Sequence, residues 1–470
     1  MCNSAIGAGV LSLPFAFGCA GIAGCISLCV VLGAFEGFTL YVLAKFAERY
    51  SAHTYSKLVR KALGRKLSAT LSGVMLLYLW GSCIAYLVII GDCFASILGL
   101  YIDGALADRR LIIAAAGLII ILPMCFPREL GALAWVSMAA VIGFVFTAIA
   151  VVIRGTELVR QRPEATRYDG VALFHFDFKA LSAIPIVVFG FNSHANVVTI
   201  MTELELLPAV LIAGLPRRPS QYAELPGMWG PRPRTRKLIG MLGVILAAIA
   251  LIMVGYLAVG LTGYLAFPFS VSSNVLNSFG SDDKVMLVAR AIIGAVVIGH
   301  YPLNHHPARL AMEDLESFCL GWRHISPWLS YSQSILFVAS TIFVAVLVKD
   351  LGLVLHMVGG TAACFMIFFL PGLLLINAAI VKSGLEQAED DEEYDVEEED
   401  GTPMAGEGAS ADALLSTHTA TGRPSYLADP DERGIKRLGI IYSPRKSWWT
   451  GMFLVALSVA ILIITIWTAF

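Results

Sequence analysis

Long apolar runs recur along the whole chain, and they constrain its fold more than any other feature. About eleven runs approach or exceed the roughly 20 residues that a helix needs to cross a bilayer. Because a helix closes its own backbone hydrogen bonds in hydrocarbon, each run predicts a membrane-spanning helix. The predicted runs are 2–18, 22–44, 68–100, 111–126, 131–153, 182–202, 238–266, 285–306, 328–348, 351–380 and 448–470.

The composition supports a membrane protein and excludes several other classes. Of the 470 residues, 57% are hydrophobic and 14% are charged, which is too apolar for an ordinary soluble domain. A net charge of −2 offers no basic face for nucleic acid. The nine cysteines lie mostly inside apolar runs without zinc-type spacing, so we predict no disulfide and no metal site. No nucleophile, base and orienting acid occur on adjacent turns, so we predict neither an enzyme nor a cofactor.

The distribution of lysine and arginine predicts the topology, because cytoplasmic loops carry the excess of basic residues. The segments 45–66, 217–237 and 436–446 are all rich in these residues, and we place them inside. The N-terminus is then cytoplasmic and Phe470 is outside. The loop 154–180 disagrees, because it carries five basic residues on the predicted outer side. The first run has no basic region before it, so we expect a span rather than a cleaved signal peptide.

The chain divides by composition into three parts. We predict a membrane core over 1–384, with repeats 1–154 and 181–384, and a final helix over 446–470. Residues 385–445 between them form an acidic, cytoplasmic linker that cannot bury enough apolar surface to order itself. We favour a solvated spacer over a regulatory tail for this linker. The Pro-rich segment 203–237 is too short in apolar residues to span, and we expect an interfacial or loop segment.

Two of the runs contain residues that interrupt helices. The opening "NSAIGAGVLSLPFAF" holds Gly7, Gly9 and Pro14, and the sixth run, "SAIPIVVFGFNSHANVVTIMTEL", holds Pro185 and Gly190. Glycine relaxes the backbone and proline removes an N–H, so each helix can unwind where it lines a cavity. Interrupted helices five apart predict two inverted five-helix repeats. Close helix packing is the alternative explanation for the same residues.

An interrupted pair of helices offers chemistry that suits a zwitterion. Free helix N-termini attract a carboxylate, and free carbonyls accept from an ammonium group or coordinate a cation. Phe189 and Phe191 are candidates to close over the substrate, although a membrane aromatic more often only packs. The substrate-binding residues that we predict are Ile6, Gly7, Ala8, Gly9, Tyr86, Phe189, Gly190, Phe191 and Asn192.

Ionisable residues inside the runs are costly and are therefore candidates for coupling an ion or proton. Asp92 lies near the outer end of the third run, where we slightly favour a structural role. His300 titrates near neutral pH and is the best proton-linked candidate, although interhelical hydrogen bonding is commoner. His305 and His306 are expected at the inner end, where water satisfies them. Glu36, near the middle of the second run, is a candidate for an interhelical pair.

Several segments together resemble the amino acid/auxin permease family, which includes sodium-coupled neutral amino acid transporters and fungal vacuolar amino acid transporters. The first run is similar to the family's Asn-x-x-x-Gly-x-Gly signature, which begins here at Asn3. "AYLVIIGD" at 85–92, "YPLNHHPAR" at 301–309 and "GGTAACFMIFFLPG" at 359–372 resemble its third, eighth and tenth helices. The sixth run resembles the family's sixth helix through Phe189, Phe191, His194, Glu203 and Leu204.

The resemblance implies an all-α, LeuT-type fold of about eleven helices, with broken helices 1 and 6. It implies secondary active transport of amino acids, which we expect to be neutral, coupled to protons or sodium by alternating access. A sensor with little or no transport is the alternative. The partners implied are the amino acid, H+ or Na+ and the lipid bilayer, for a chain we expect to be a monomer. The membrane is vacuolar, lysosomal or plasma membrane.

Asn3 and the eighth helix, two of the matched regions, bear on whether sodium or protons are the coupling ion. Asn3 resembles the amide that sodium-using members place at their ion site, where a hydroxyl residue of the eighth helix is the usual partner. Residues 285–307 contain no serine or threonine, so an oxygen ligand is missing and we favour protons. Sodium at Asn3 is the alternative. Family members carry a half-helix before this asparagine, and we expect that this sequence lacks it.

Overall fold

The computed structural model describes residues 7–102, 104, 107–127, 134–204, 233–321, 326–383 and 444–469. Every regular element in these ranges is a helix, which confirms the predicted all-α membrane fold. The α-helices are α1 Ala8–Ala20, α2 Ile22–Arg49, α3 Tyr55–Leu63, α4 Arg65–Leu98, α5 Arg109–Ala115, α6 Leu122–Met124, α7 Ala134–Gln161, α8 Ala183–Phe191, α9 His194–Glu203, α10 Pro233–Ala266, α11 Lys284–Cys319, α12 Pro327–Leu347, α13 Leu351–Val358 and α14 Pro444–Ala469.

Within the described residues, nine helices are long and apolar enough to cross a membrane. Two predicted runs are shorter: α1 has 13 residues, and α5 continues into α6 through a π-helical segment, Ala116–Ile121. The count of about eleven spans and the inverted repeat stay predictions. The nine candidate spans are Ile22–Arg49, Arg65–Leu98, Met138–Gln161, Phe178–Glu203, Lys237–Ala266, Lys284–Cys319, Trp328–Leu347, Leu351–Ser383 and Pro444–Ala469.

Contacts between helix ends agree with the predicted alternation of the spans. At the predicted outer side, Arg109 donates to the carbonyls of Ala345 and Val348 at the end of α12. At the predicted inner side, Arg65 at the start of α4 donates to the carbonyl of Ser317 near the end of α11. Each contact joins ends that the lysine and arginine distribution places on the same side.

Two of the five basic residues of the discordant loop, Arg154 and Arg162, have structural partners at helix ends. Arg162 donates to the carbonyls of Leu265, at 3.0 Å, and Ala266, which end α10. The last carbonyls of a helix lack partners within it, and a cation stabilises that end. Arg154 forms an ion pair of 2.7 Å with Asp283, which caps α11. These charges therefore tie helix ends together, which explains their presence in a loop that we place outside.

The segment of the tenth predicted run, 351–380, packs directly on α8, which is the first half of the sixth predicted run. After α13, the chain forms two π-helical segments, Gly359–Ala363 and Phe365–Phe369. A Cβ atom at Gly359 would overlap the carbonyl of Pro185, so the two backbones are in contact there. Single-turn π segments inside helices occur frequently at functional sites. This contact fixes the position of α8.

The chain forms two compact units, and the site described below lies in the first. The first unit is Met1–Pro371 with Leu454–Phe470, and the second is Gly372–Phe453. The described part of the second unit is helical. The predicted domain boundaries stay predictions. The Pro-rich connection over 205–232 and nearly all of the predicted acidic linker lie outside the described residues.

Candidate functional site

The sixth span is interrupted at the predicted position. Helix α8 ends at Phe191, Asn192 is extended with φ −62° and ψ 114°, and α9 begins at His194. The side-chain Oδ1 of Asn192 accepts the backbone N–H of His194 at 3.1 Å and so closes the turn before α9. Its side chain is buried, and the hydroxyl of Tyr78 is its neighbour on the other side. The break therefore brings a buried amide together with the ends of two helices, whose outermost peptide groups have no partner within their own helix.

The first helix begins inside the protein. Helix α1 starts at Ala8 after Gly7, which has φ −150° and provides no side-chain cap. Residues 7–10 are buried, and the first N–H groups of α1 have no partner within the helix. Two predicted site residues, Asn3 and Ile6, lie outside the described residues. The unwinding expected from Gly9 and Pro14 is not seen, because α1 continues without interruption through both residues, and an interruption before Gly7 stays a prediction.

Helices α1 and α8, from the first and sixth predicted runs, meet at two glycines. A Cβ atom at Gly9 would lie 2.7 Å from the Cα of Gly190, so the backbones of α1 and α8 are in direct contact. The hydroxyl of Tyr256 on α10 donates to the carbonyl of Gly190 at 2.6 Å. The same tyrosine packs edge to face on Phe191, with ring centroids 5.2 Å apart. The predicted glycines and Phe191 are therefore neighbours, joined by a tyrosine that was not predicted.

Tyr86 and His300 form a second layer behind the start of α1. The hydroxyl of Tyr86 would lie 3.5 Å from a Cβ atom at Gly7. On its other side, the Tyr86 ring packs on His300 of α11, with centroids 6.0 Å apart. His300 also contacts the ring of Phe144, and its Nε2 has no hydrogen-bond partner among the described residues. Tyr86 therefore separates the proposed proton-linked histidine from α1.

The remaining aromatic of the predicted set packs toward α4. The ring of Phe189 lies 5.6 Å from that of Tyr78. The hydroxyl of Tyr78 interacts with the side chains of Ser82 and Asn192. Phe189 is 7% exposed. Phe189, Phe191 and Asn192 thus form one buried layer around the break.

Asp92 lies apart from this layer, in a network at the predicted outer end of α4. Its Oδ1 accepts from Arg109 Nε at 2.7 Å. Its Oδ2 accepts from Asn274 Nδ2 at 3.1 Å and from Asn277 Nδ2 at 3.0 Å. Because both oxygens already have donors, the geometry favours the structural role among the alternatives that the sequence left open. Asp92 connects α4 to α5 and to the turn before α11.

The expectation for His305 is wrong. This side chain is 1% exposed rather than in water, and its ring packs on Phe337 at 5.2 Å. The apolar run suggested a helix ending at 306, whereas α11 continues to Cys319. His305 therefore lies inside the helix and the packed core. Nδ1 of the neighbouring His306 lies 3.2 Å from a guanidinium nitrogen of Arg309.

Two cavities open near the predicted outer ends of the helices. One of about 500 Å³ is lined by charged residues that include Arg154 and Asp283. The other, of about 390 Å³, is lined by Asp92 and Arg290 among others. Neither is lined by the residues of the contact between α1 and α8. Where Gly9 meets Gly190, the two helices are held closed by direct packing.

The arrangement can be compared with known proteins. The family model described as "Transmembrane amino acid transporter protein" matches residues 1–211 and 232–388. The chain belongs to this family. It is a multi-pass membrane protein of a transporter family, not an enzyme.

Relatives in vertebrates and yeast extend over most of the chain. It is 30% identical over 395 residues to Sodium-coupled neutral amino acid transporter 7 of Xenopus laevis, covering 80% of this chain and 78% of the relative. It is 26% identical over 399 residues to Solute carrier family 38 member 8 of Homo sapiens, covering 80% and 83%. It is 25% identical over 385 residues to Vacuolar amino acid transporter 2 of Saccharomyces cerevisiae, covering 79% and 73%. The resemblance seen in the motifs is confirmed.

Sequence reasoning missed three hydroxyl residues that hold the site. Tyr256 stands in the aliphatic stretch "LIMVGYLAVG", where a buried hydroxyl requires a partner. Tyr78 lies beside Asn192, and Thr39 of α2 is 2.8 Å from His194 Nε2. The signal available was a polar tip inside an apolar run. The sequence does not show which helix supplies its partner.

Proposed function

We propose that this chain is a secondary active transporter that moves neutral amino acids by alternating access around the contact of α1 with α8. The observation that carries the proposal is the interrupted sixth span. In a member of an amino acid transporter family, it leaves two helix ends, whose outermost peptide groups have no partner within their own helix, and the buried amide of Asn192 beside the start of α1. Such groups inside a membrane protein are costly unless a ligand uses them.

The proposed binding mode follows the polarity of the helix ends. The substrate carboxylate binds the N–H groups at the start of α1, near Ala8 and Gly9. The ammonium group binds carbonyls at the end of α8, and Asn192 Nδ2 donates one further hydrogen bond. Phe189 and Phe191 cover the substrate side chain. All these residues are uncharged, so a neutral side chain fits the site better than a charged one.

We propose protons as the coupling ion, because the eighth helix has no hydroxyl over 285–307 to complete a sodium site. A relative named as sodium-coupled keeps sodium at Asn3 as the competing possibility. Within the predicted eighth helix, His300 is the candidate for proton coupling. Asp92 is assigned a structural role and no part in coupling.

The test uses the full chain in liposomes with a panel of labelled amino acids. We expect counterflow of neutral amino acids, and uptake that follows an imposed pH gradient after sodium is replaced by choline. Binding without any exchange would instead support a sensor. Uptake that collapses in choline, with the pH gradient held, would show sodium coupling.

A pair of variants tests the binding site itself. Asn192→Ser keeps a side-chain oxygen in the turn before α9 but removes the Nδ2 donor, so the KM for exchange should rise about tenfold for a lost hydrogen bond of about 1.4 kcal/mol. The matched control is Asn196→Ala, on the exposed side of α9. Its KM should equal that of the unmodified protein. Equal KM values for both variants would remove Asn192 from the site.

A further inference from the structure

A carboxyl group is buried near the middle of the second span. Glu36 lies in α2, a helix of 28 residues, and its exposed fraction is 0%. Neither carboxylate oxygen has a hydrogen-bond partner among the described residues. An isolated carboxylate in such surroundings loses its hydration without compensation, and a buried charge persists only when paired. Glu36 therefore carries a proton in this conformation of the protein.

The position of Glu36 on its helix directs it toward the break in the sixth span. Three residues earlier, a Cβ atom at Gly33 would lie 3.5 Å from the ring of Phe191, the last residue of α8. Three residues later, Thr39 is 2.8 Å from Nε2 of His194, the first residue of α9. Residues three apart lie on one face of a helix. Glu36 is thus between two contacts that bracket the interruption.

The ionisable groups near Glu36 supply no permanent charge. His194 of α9 contacts Thr39, one turn further along α2, while Tyr78 of α4, Tyr256 of α10 and Cys364 beside the π-helical segments lie within electrostatic range of Glu36. The helix α8 contributes no ionisable side chain. The other ionisable groups of the elements packed on α2 lie toward their ends: Cys19, Tyr55, Lys57, Arg60, Lys61, Glu203, Lys237 and Tyr264.

We propose that Glu36 is a proton-binding site through which a proton is transported with the amino acid. This inference rests on the proposed function and assigns to it the residue that carries the proton. With the site open to one side, the carboxylate takes a proton from hydronium and water is released. After the substrate and the protonated carboxyl pass together through the closed state seen here, the proton returns to water on the other side.

The physical basis of the coupling is the contact with both halves of the sixth span. Movement of α8 relative to α9 at the break changes the surroundings of Glu36, because its neighbours at Gly33 and Thr39 contact opposite sides of the interruption. An ionised carboxylate opposes closure over itself, since burial without a counter-charge is unfavourable. Closure therefore requires that Glu36 is protonated. This is the condition for symport rather than leak.

The experiment compares Glu36→Gln with the unmodified chain in liposomes. Glutamine has the shape of the protonated acid, so counterflow should persist while accumulation driven by a pH gradient disappears. A gradient of about one pH unit supports about tenfold accumulation for one proton per substrate, and the variant should show none. Glu36→Asp should restore part of the accumulation. Glu48→Gln, near the inner end of the same helix, is the matched control and should accumulate normally.

Several outcomes would overturn the assignment. If Glu36→Gln still accumulates substrate in a pH gradient, another group carries the proton. That group is identified if accumulation in the pH gradient is lost in His194→Gln alone or in His300→Gln alone. Drive by sodium alone in the unmodified chain would also overturn it. Absence of all counterflow in the unmodified chain is a failure of the proposed function instead. In that case, infrared spectra still decide: the spectrum of Glu36→Gln should lack one protonated carboxylic C=O band that the unmodified chain shows, and identical bands in both contradict a protonated Glu36.

Discussion

Replacing Gly9 by alanine places a methyl group where the structure has no room. The added Cβ would lie 2.7 Å from the Cα of Gly190. Carbon atoms in contact prefer separations of about 3.5–4.0 Å, so α1 and α8 must move apart by about 1 Å. The obstructing atom belongs to the backbone of α8, which cannot rotate away. We expect a loss of about 1–3 kcal/mol in the stability of the closed state.

Two other glycines provide graded comparisons. A Cβ at Gly190 would lie 3.0 Å from a ring atom of Tyr256, a side chain that can shift, so Gly190→Ala should be milder. Gly255 on α10 has no atom within 4 Å of the added carbon. Because glycine weakens a helix interior, Gly255→Ala should stabilise the protein by about 0.5–1 kcal/mol.

Thermal unfolding in detergent and counterflow in liposomes measure the effect. The melting temperatures should fall in the order Gly255→Ala, unmodified protein, Gly190→Ala and Gly9→Ala. Counterflow should be slowest in Gly9→Ala, because the closed state is one of the states through which the substrate passes. If Gly9→Ala melts and exchanges like the unmodified chain, α1 and α8 do not meet at these glycines and the reasoning is refuted.

Two further changes test the groups that hold the site. Tyr256→Phe leaves the buried carbonyl of Gly190 without its donor and should lower the unfolding free energy by about 1–3 kcal/mol, seen as a lower melting temperature. An unchanged melting temperature would argue that this hydrogen bond is absent. Asp92→Asn removes the charge opposite Arg109 and should cost about 3 kcal/mol, with an unchanged KM in the protein that remains folded. A raised KM at full stability would return Asp92 to the substrate or ion site.

Local patterns predicted several features of the site correctly. Pro185, Gly190 and Asn192 indicated an interruption within the sixth run, and the chain breaks at Asn192. A short polar side chain such as Asn192 favours a turn closed by its own oxygen over a continued helix, and that preference is local. The inner end of α11 was placed too early, because the apolar run ends before the helix does. Hydropathy detects only the part of a helix whose side chains suit lipid, whereas the helix itself can continue beyond the membrane into polar sequence, as α11 does to Cys319.

The spans and the break are properties of consecutive residues, so they are readable from the chain alone. Burial in hydrocarbon depends on the summed transfer energy of about 20 neighbours, and a cap depends on residues within one turn. The contact of Gly9 with Gly190 and the placement of Glu36 beside the break are different. They depend on how each helix is rotated about its axis when it packs, and that rotation is set by residues far apart in sequence. A buried acid in α2 was visible in the sequence, but its position beside the break between α8 and α9 required the packed structure.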